Sequence, residues 1–264
     1  MAPEEDLHSE AYARFHEWSS LHYQADVPFY AEVVDRYGDP VLDVACATGR
    51  LAIPLARQGH EVVGLVCSRP MLELVRKRVR EEPPAARQRL SFLQEEPEEM
   101  DLDRRFGAVL MPNSAVFRLH GKYSIQQCFR RLYRHTRPGG AAVLDCIAPE
   151  QMAEQEIGRR VEVEESVNPR TGLLNRELRR VTNIMWDTQL VNVELTYVEV
   201  EDGEERRHTF ERTCRWLEKD EGVEMLRHAG FPEVDVYGDF NRSPYTEESP
   251  RLVLVARRLE RDFI

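Results

Sequence analysis

The stretch Val41 to Ala56, VLDVACATGRLAIPLA, constrains this chain more than any other. It starts as an apolar run of strand-forming residues and turns through Ala45-Cys46-Ala47-Thr48-Gly49. It leaves as a helix with apolar residues at Leu51, Ile53, Leu55 and Ala56. A buried strand, a tight small-residue turn and a helix start, in that order, make a ligand-binding corner. Small side chains let a ligand approach the backbone, and the first turn of the helix offers free N–H groups. Taken alone, the same pattern also describes an ordinary strand–helix unit, so the rest of the chain has to decide.

Around this corner, apolar strands alternate with helices. Two helical pieces fill residues 8–37 and break near Gln24; Asp26 reads as an N-cap and Pro28 sits in the first turn of the second piece. Strands are predicted at Glu61–Val66, Leu90–Leu93, Phe106–Met111 and Ala141–Ile147. Helices are predicted from Ser68 to Glu82 and from Tyr123 to Thr136. The alternation implies a mostly parallel sheet with helices on both faces, which binds ligands at the carboxyl ends of its strands. After Pro149 the period changes to two, as in LVNVELTYVEV, with turns at residues 168–172, Asp187-Thr188 and Asp202-Gly203. That is an antiparallel meander. The expectation is an α/β, Rossmann-like, seven-stranded mostly parallel sheet. Residues 1–149 form its core, 150–217 an antiparallel insertion acting as lid or dimer surface, and 218–264 the last helix and strands.

Charge and cysteine usage narrow the function. A net charge of −11 argues against a nucleic-acid backbone as partner. No apolar run approaches the ~20 residues needed to cross a membrane, and the acidic N-terminus lacks signal-peptide features. Cys46, Cys67, Cys128, Cys146 and Cys214 are scattered without a CxxC pair, which suits reduced thiols in a cytosol and no metal site.

Five pieces in order, VLDVACATGRLAIPLA, VVGLVCSRPMLEL, LSFLQEEPEEMDL, FGAVLMPNSAVFRL and the RPGG before strand five, resemble a class I S-adenosylmethionine-dependent methyltransferase. The ADVPFY stretch and the GDFNRSPYTEESPRLVLVARR tail look like a small-molecule subgroup with an antiparallel insertion. The resemblance implies methyl transfer from S-adenosylmethionine to a small molecule. It puts Asp43, Ala45, Cys46, Ala47 and Gly49 around the methionine part of the cofactor. It puts Val66 and Cys67 at the ribose, Glu96 and Pro97 at the adenine, and Met111 near the methyl group. Tyr23, Phe29 and Tyr30 would form a lid. Asn113, Ser114 and Trp186 would face the substrate, with Trp216, Tyr245 and Thr246 nearby and His120 the nearest candidate base.

Five positions depart from the family's pattern. Ala45 and Ala47 replace usual loop glycines, Val66 stands where a ribose-binding acid is expected, Pro97 cannot supply an N–H, and Gly107 replaces a common aspartate. Either the cofactor is held in an adjusted way, with Glu61, Glu95 or Cys67 substituting, or the fold serves as a binding module without methyl transfer. Restoring Asp at Val66 is expected to tighten the site by roughly tenfold. Core packing remains the alternative for Cys46, Cys67 and the aromatic residues.

Overall fold

A computed structural model describes residues 7–260. Helix α1 (Glu10–His22) begins at Ser9, whose hydroxyl accepts from the Tyr12 N–H at 3.2 Å. Helix α2 (Val27–Tyr37) follows. Asp26 precedes it but makes no side-chain cap; its carboxylate is committed elsewhere, which corrects the sequence reading.

The core then runs β1 (Val41–Asp43), α3 (Ala52–Arg57), β2 (Val62–Val66), α4 (Arg69–Arg80), α5 (Pro84–Arg87), β3 (Leu90–Gln94) and β4 (Phe106–Met111). It continues with α6 (Lys122–His135), β5 (Thr136–Ile147) and α7 (Glu150–Ala153). Every residue of β1, β2 and β4 is buried, the mark of parallel strands covered on both faces. In β3 only Phe92 is buried, because that strand is the sheet's edge. Helix α6 buries Ile125, Cys128, Phe129 and Leu132, one stripe at helical spacing.

The insertion is β6 (Arg160–Val167), β7 (Leu174–Met185), β8 (Leu190–Glu201) and β9 (Glu204–Arg215), paired antiparallel in chain order. Helix α8 (Lys219–Ala229), β10 (Glu233–Tyr237) and β11 (Arg251–Arg257) complete the first sheet. Its order is β10-β11-β5-β4-β1-β2-β3, with β11 antiparallel to both neighbours and the other pairs parallel. This is the expected seven-stranded Rossmann-like sheet. Strand β1 lies between β2 and β4, so the strand order reverses where VLDVACATG ends.

Helix α1 covers the insertion. Phe15 stacks on Tyr197 with ring centroids 4.9 Å apart, and Tyr12 meets Phe210 edge-on at 5.1 Å. The Trp18 indole donates to Ser166, and Arg14 pairs with Glu199 at 3.1 Å. The apolar face of β8 that needed cover (Val191, Val193, Leu195, Tyr197) is buried within its own chain. The outer strand β6 leaves Val161, Val163 and Val167 exposed. Among the described residues no helix is long and apolar enough to cross a membrane.

Candidate active site

The turn after β1 is stitched to both neighbouring strands. The Val44 N–H donates to Leu110 O at 2.7 Å and the Cys46 N–H to Leu65 O at 2.8 Å. Between these anchors the backbone turns left-handed at Ala45 (φ 55°), Ala47 (φ 48°) and Gly49 (φ 77°). An alanine in that region costs roughly 1 kcal/mol over glycine, so the loop keeps a glycine-type shape with two strained methyls. Gly49 has a second constraint, since a Cβ there would lie 2.9 Å from the Val75 side chain. Cys46 Sγ fills the space over Gly64, where a Cβ would come within 2.6 Å of it, and burial holds its thiol pKa well above the usual range. Cys46 thus packs the turn.

Above the turn lies a small cleft of ≈ 90 Å³, bordered by Asp43, Ala45, Cys46, Ala47, Cys67, Asn113 and Ser114. Asp43 is 1% exposed, and neither carboxylate oxygen has a hydrogen-bond partner; the Ala52 N–H approaches without reaching bonding geometry. Burial raises its pKa to about 7 against a partial pull downward from Arg50. Arg50 is itself neutralised. Its two terminal nitrogens grip the Asp26 carboxylate at 2.6 Å each, and one also donates to Tyr23 O at 3.0 Å. The buried pair ties the start of α2 to the turn.

Helix α1, the segment after β4 and the insertion close the cleft from above with His16, Ser20, Arg118 and Arg212. Burial and the positive charges of Arg212, Arg118 and Arg50 press the His16 pKa down to about 3. Its imidazole is therefore neutral at physiological pH, and its Nδ1 has no partner.

At the tip of β4, Asn113 (φ 53°) and Ser114 (φ 59°) are both left-handed. They are held by Asp145 of β5, which accepts from the Asn113 N–H at 2.9 Å and whose carbonyl accepts from the Ser114 N–H at 2.9 Å. Tyr30 Oη donates to the same carboxylate at 2.6 Å, and Arg251 pairs with it. Two consecutive strained residues on a triply anchored scaffold place this tip firmly. Beyond it a second chamber of ≈ 360 Å³ shares His16, Ser20, Asn113, Ser114 and Arg212 with the first. Tyr12, Tyr23, Tyr197, Glu164 and Glu177 form its walls. Glu177 is 2% exposed; it accepts from Ser19 of α1 and from Arg179 at 3.1 Å.

Several expected site residues fall elsewhere. Val66 is fully buried in the core, and Cys67 is the side chain that reaches the cleft at the end of β2. An Asp at 66 would meet apolar neighbours, so the expected tighter binding loses its basis. Met111 is fully buried beside Cys128. Phe29 and Tyr30 are buried; Tyr30 supports the β4 tip from behind, while Tyr23 reaches the second chamber. Trp186 is 56% exposed at the β7–β8 turn, its ring 5.5 Å from the buried Trp216. His120 is exposed and borders neither chamber. Tyr245 donates to Glu150, and the Thr246 N–H to Ser249 at 2.8 Å. Gly107 lies at the opposite end of β4 from the cleft. A Cβ there would come within 2.1 Å of Gly38 O, so an aspartate has no room. Glu96 and Pro97 follow β3, with Glu96 exposed and Pro97 buried. The Cys67 thiol, pushed up to about 11 by burial, faces Glu96 and is no nucleophile.

Sequence reasoning passed over His16, Arg50, Arg118, Arg212 and Glu177. Only Arg50, directly after the Thr-Gly of the turn, carried a local signal. The others enter from α1, from the segment after β4 and from the insertion.

The seven-stranded order and a cleft at the reversal point define a class I methyltransferase fold. Residues 41–140 match the family described as methyltransferase domain, which supports an enzyme. It is 27% identical to the cypemycin N-terminal methyltransferase of Streptomyces sp, over 84% of each chain. The solved CcbJ methyltransferase of Streptomyces caelestis superposes with a TM-score of 0.74 at 23% identity, covering 89% of this chain and 90% of that one. S-adenosylmethionine-bound CalS10, an amino pentose methyltransferase from Micromonospora echinaspora, gives 0.69 at 20% identity, covering 97% and 99%.

Proposed function

We propose that this chain transfers the methyl group of S-adenosylmethionine to the amino nitrogen of a small molecule. The observation that carries the reading is the pair of joined chambers. One lies over the left-handed turn, and the other is walled by tyrosines and two carboxylates. The buried, unpartnered carboxylate of Asp43 fits the cofactor, because an unpaired acid under the turn is what an ammonium group, directly or through water, satisfies. The left-handed Ala45 and Ala47 support retention of the site, since the loop keeps the shape that glycines would give it.

When bound, S-adenosylmethionine supplies a methyl group activated by its sulfonium. The protein's task is placement, because in-line transfer needs a nucleophile held at the right distance more than an acid or base. Glu164 and Glu177 line the second chamber together with Arg179 and Arg212, so its charges balance, and the tyrosine faces suit an amine, which attacks as its neutral form after releasing its proton. The Asn113–Ser114 tip forms the shared edge between the two chambers. His16, uncharged at the junction, adds no repulsion toward a cationic ligand. The relatives named for an N-terminal amine and an amino pentose agree with an amine acceptor. All five cysteines are free, in keeping with a reducing cytosol.

The test is a panel of amino sugars, amino acids and peptides, with matched hydroxyl compounds, scored for S-adenosylhomocysteine release and a single-methyl mass gain. Turnover of amines is expected, with Glu177→Gln lowering kcat/KM about tenfold while cofactor affinity holds. Methylation confined to phenols or catechols would overturn the nitrogen assignment.

A further inference from the structure

We propose that Arg212 of β9 binds an anionic group of the acceptor, so that the amine methylated is one that carries a carboxylate or a phosphate. The assignment deepens the methyl-transfer reading above and rests on it. Arg212 stands opposite Val193 of β8, which stands opposite Val181 of β7, and both valines are buried. Phe210 and Cys214, its neighbours on the same face of β9, are buried as well. A guanidinium in this inward-facing apolar patch breaks the pattern of the sheet, and such breaks concentrate at functional sites. Nothing inside the chain satisfies it. Its Nε is buried without a hydrogen-bond partner, and among the described residues no carboxylate forms an ion pair with it. Other arginines around the site are paired: Arg50 with Asp26, Arg179 with Glu177 and Arg251 with Asp145.

Its position assigns it to the acceptor. Arg212 borders both chambers, as do Asn113 and Ser114 of the β4 tip, and β9 packs on the turn Ala115–Arg118 that follows the tip. Arg118 borders the first cleft but not the second chamber, so it stays on the cofactor side. The carboxylates of the second chamber stand away from Arg212. Glu177 shares its row with Tyr197 and His208, four residues down the strands from the Arg212 row, or about 13 Å. Glu164 lies opposite Glu177 on the outer strand β6. An acceptor in the second chamber therefore meets uncancelled positive charge at the end nearest the β4 tip. The planar fork of a guanidinium matches carboxylate and phosphate oxygens alike.

The test follows the arginine Nε–H signals by NMR in the S-adenosylhomocysteine complex, titrated separately with acetate and with inorganic phosphate. One signal, missing from Arg212→Gln, should shift saturably with at least one anion, and the tighter of the two names the group on the acceptor. Arg212→Gln should weaken that binding roughly tenfold or more, whereas Arg212→Lys, which keeps the charge, should retain most of it. Affinity for S-adenosylhomocysteine, measured by titration calorimetry, should be the same in all three proteins. No saturable shift with either anion, or anion binding that survives unchanged in Arg212→Gln, would overturn the proposal. A tenfold loss of S-adenosylhomocysteine affinity in Arg212→Gln would also overturn it, by placing the cofactor's own carboxylate on Arg212. Wild-type protein that does not bind S-adenosylhomocysteine would overturn the cofactor reading, and this assignment with it. A protein that binds S-adenosylhomocysteine but neither anion overturns this assignment alone.

Discussion

Asp43 offers the sharpest test of the site, because its burial makes opposite demands on stability and on binding. Its carboxylate is 1% exposed and unpartnered, and its pKa rises from 3.8 to about 7. A folded-state pKa above the unfolded value means that the fold holds a proton which the unfolded chain releases. The resulting stability is complete below the unfolded value, declines as pH rises, and is lost above about 7. At ~1.4 kcal/mol per pH unit, the full interval corresponds to roughly 4 kcal/mol, and the part between about pH 5 and pH 8 to roughly 2–3 kcal/mol. Asp43→Asn keeps the shape and removes the titration. In the absence of ligand it should match the wild type near pH 5 and exceed it by about 2 kcal/mol near pH 8. That is a Tm difference of about 4–8 °C for a chain of this size. Binding should move the other way, because the amide gives up the charge that an ammonium group would meet. S-adenosylhomocysteine affinity should fall about tenfold or more. Thermal melts at the two pH values, with and without ligand, measure both. A variant less stable than wild type at pH 8, or a stability difference that does not change with pH, would refute the reasoning.

Three further outcomes follow from the same geometry. Asp26→Ala strands the Arg50 guanidinium in the interior and should cost about 3–5 kcal/mol in urea unfolding; adding Arg50→Met should recover much of that loss. Ala47→Gly relieves a left-handed alanine and should raise stability by up to ~1 kcal/mol; a drop in denaturation midpoint would show that the turn is not strained there. Gly107→Asp restores the family's usual residue but drives a Cβ into Gly38 O, so a loss of more than ~3 kcal/mol or insoluble protein is expected. A Gly107→Asp protein melting within a few degrees of wild type would contradict that packing.

The departures from the family pattern illustrate how far one-dimensional reading goes. At Ala45 and Ala47 the sequence identified a backbone that prefers glycine, and the positive φ values bear that out. Gly107 is a different case. A change that resembled damage to the ligand groove is a packing requirement at the far end of the strand, where the α2–β1 turn crosses β4. Val66 and Cys67 show that one step along a strand decides which side chain faces the cleft, because neighbouring side chains point to opposite faces.

By itself the sequence determined the parallel core, the tight turn after β1 and the antiparallel insertion. Those features are set by local periodicity: unbroken apolar runs for β1, β2 and β4, a helical stripe for α6, alternation for β8. What only the tertiary structure decided is the roof of the site. His16, Arg212 and Glu177 lie far apart in the chain and meet because α1 lays Tyr12 and Phe15 on the apolar face of the insertion. The pairing of Asp26 with Arg50, and of Tyr30 with Asp145, depends likewise on which buried polar groups find each other once the layers close. Periodicity reports which face of an element is apolar, but not which other element covers it. A roof built from such long-range packing therefore leaves little trace in the order of residues.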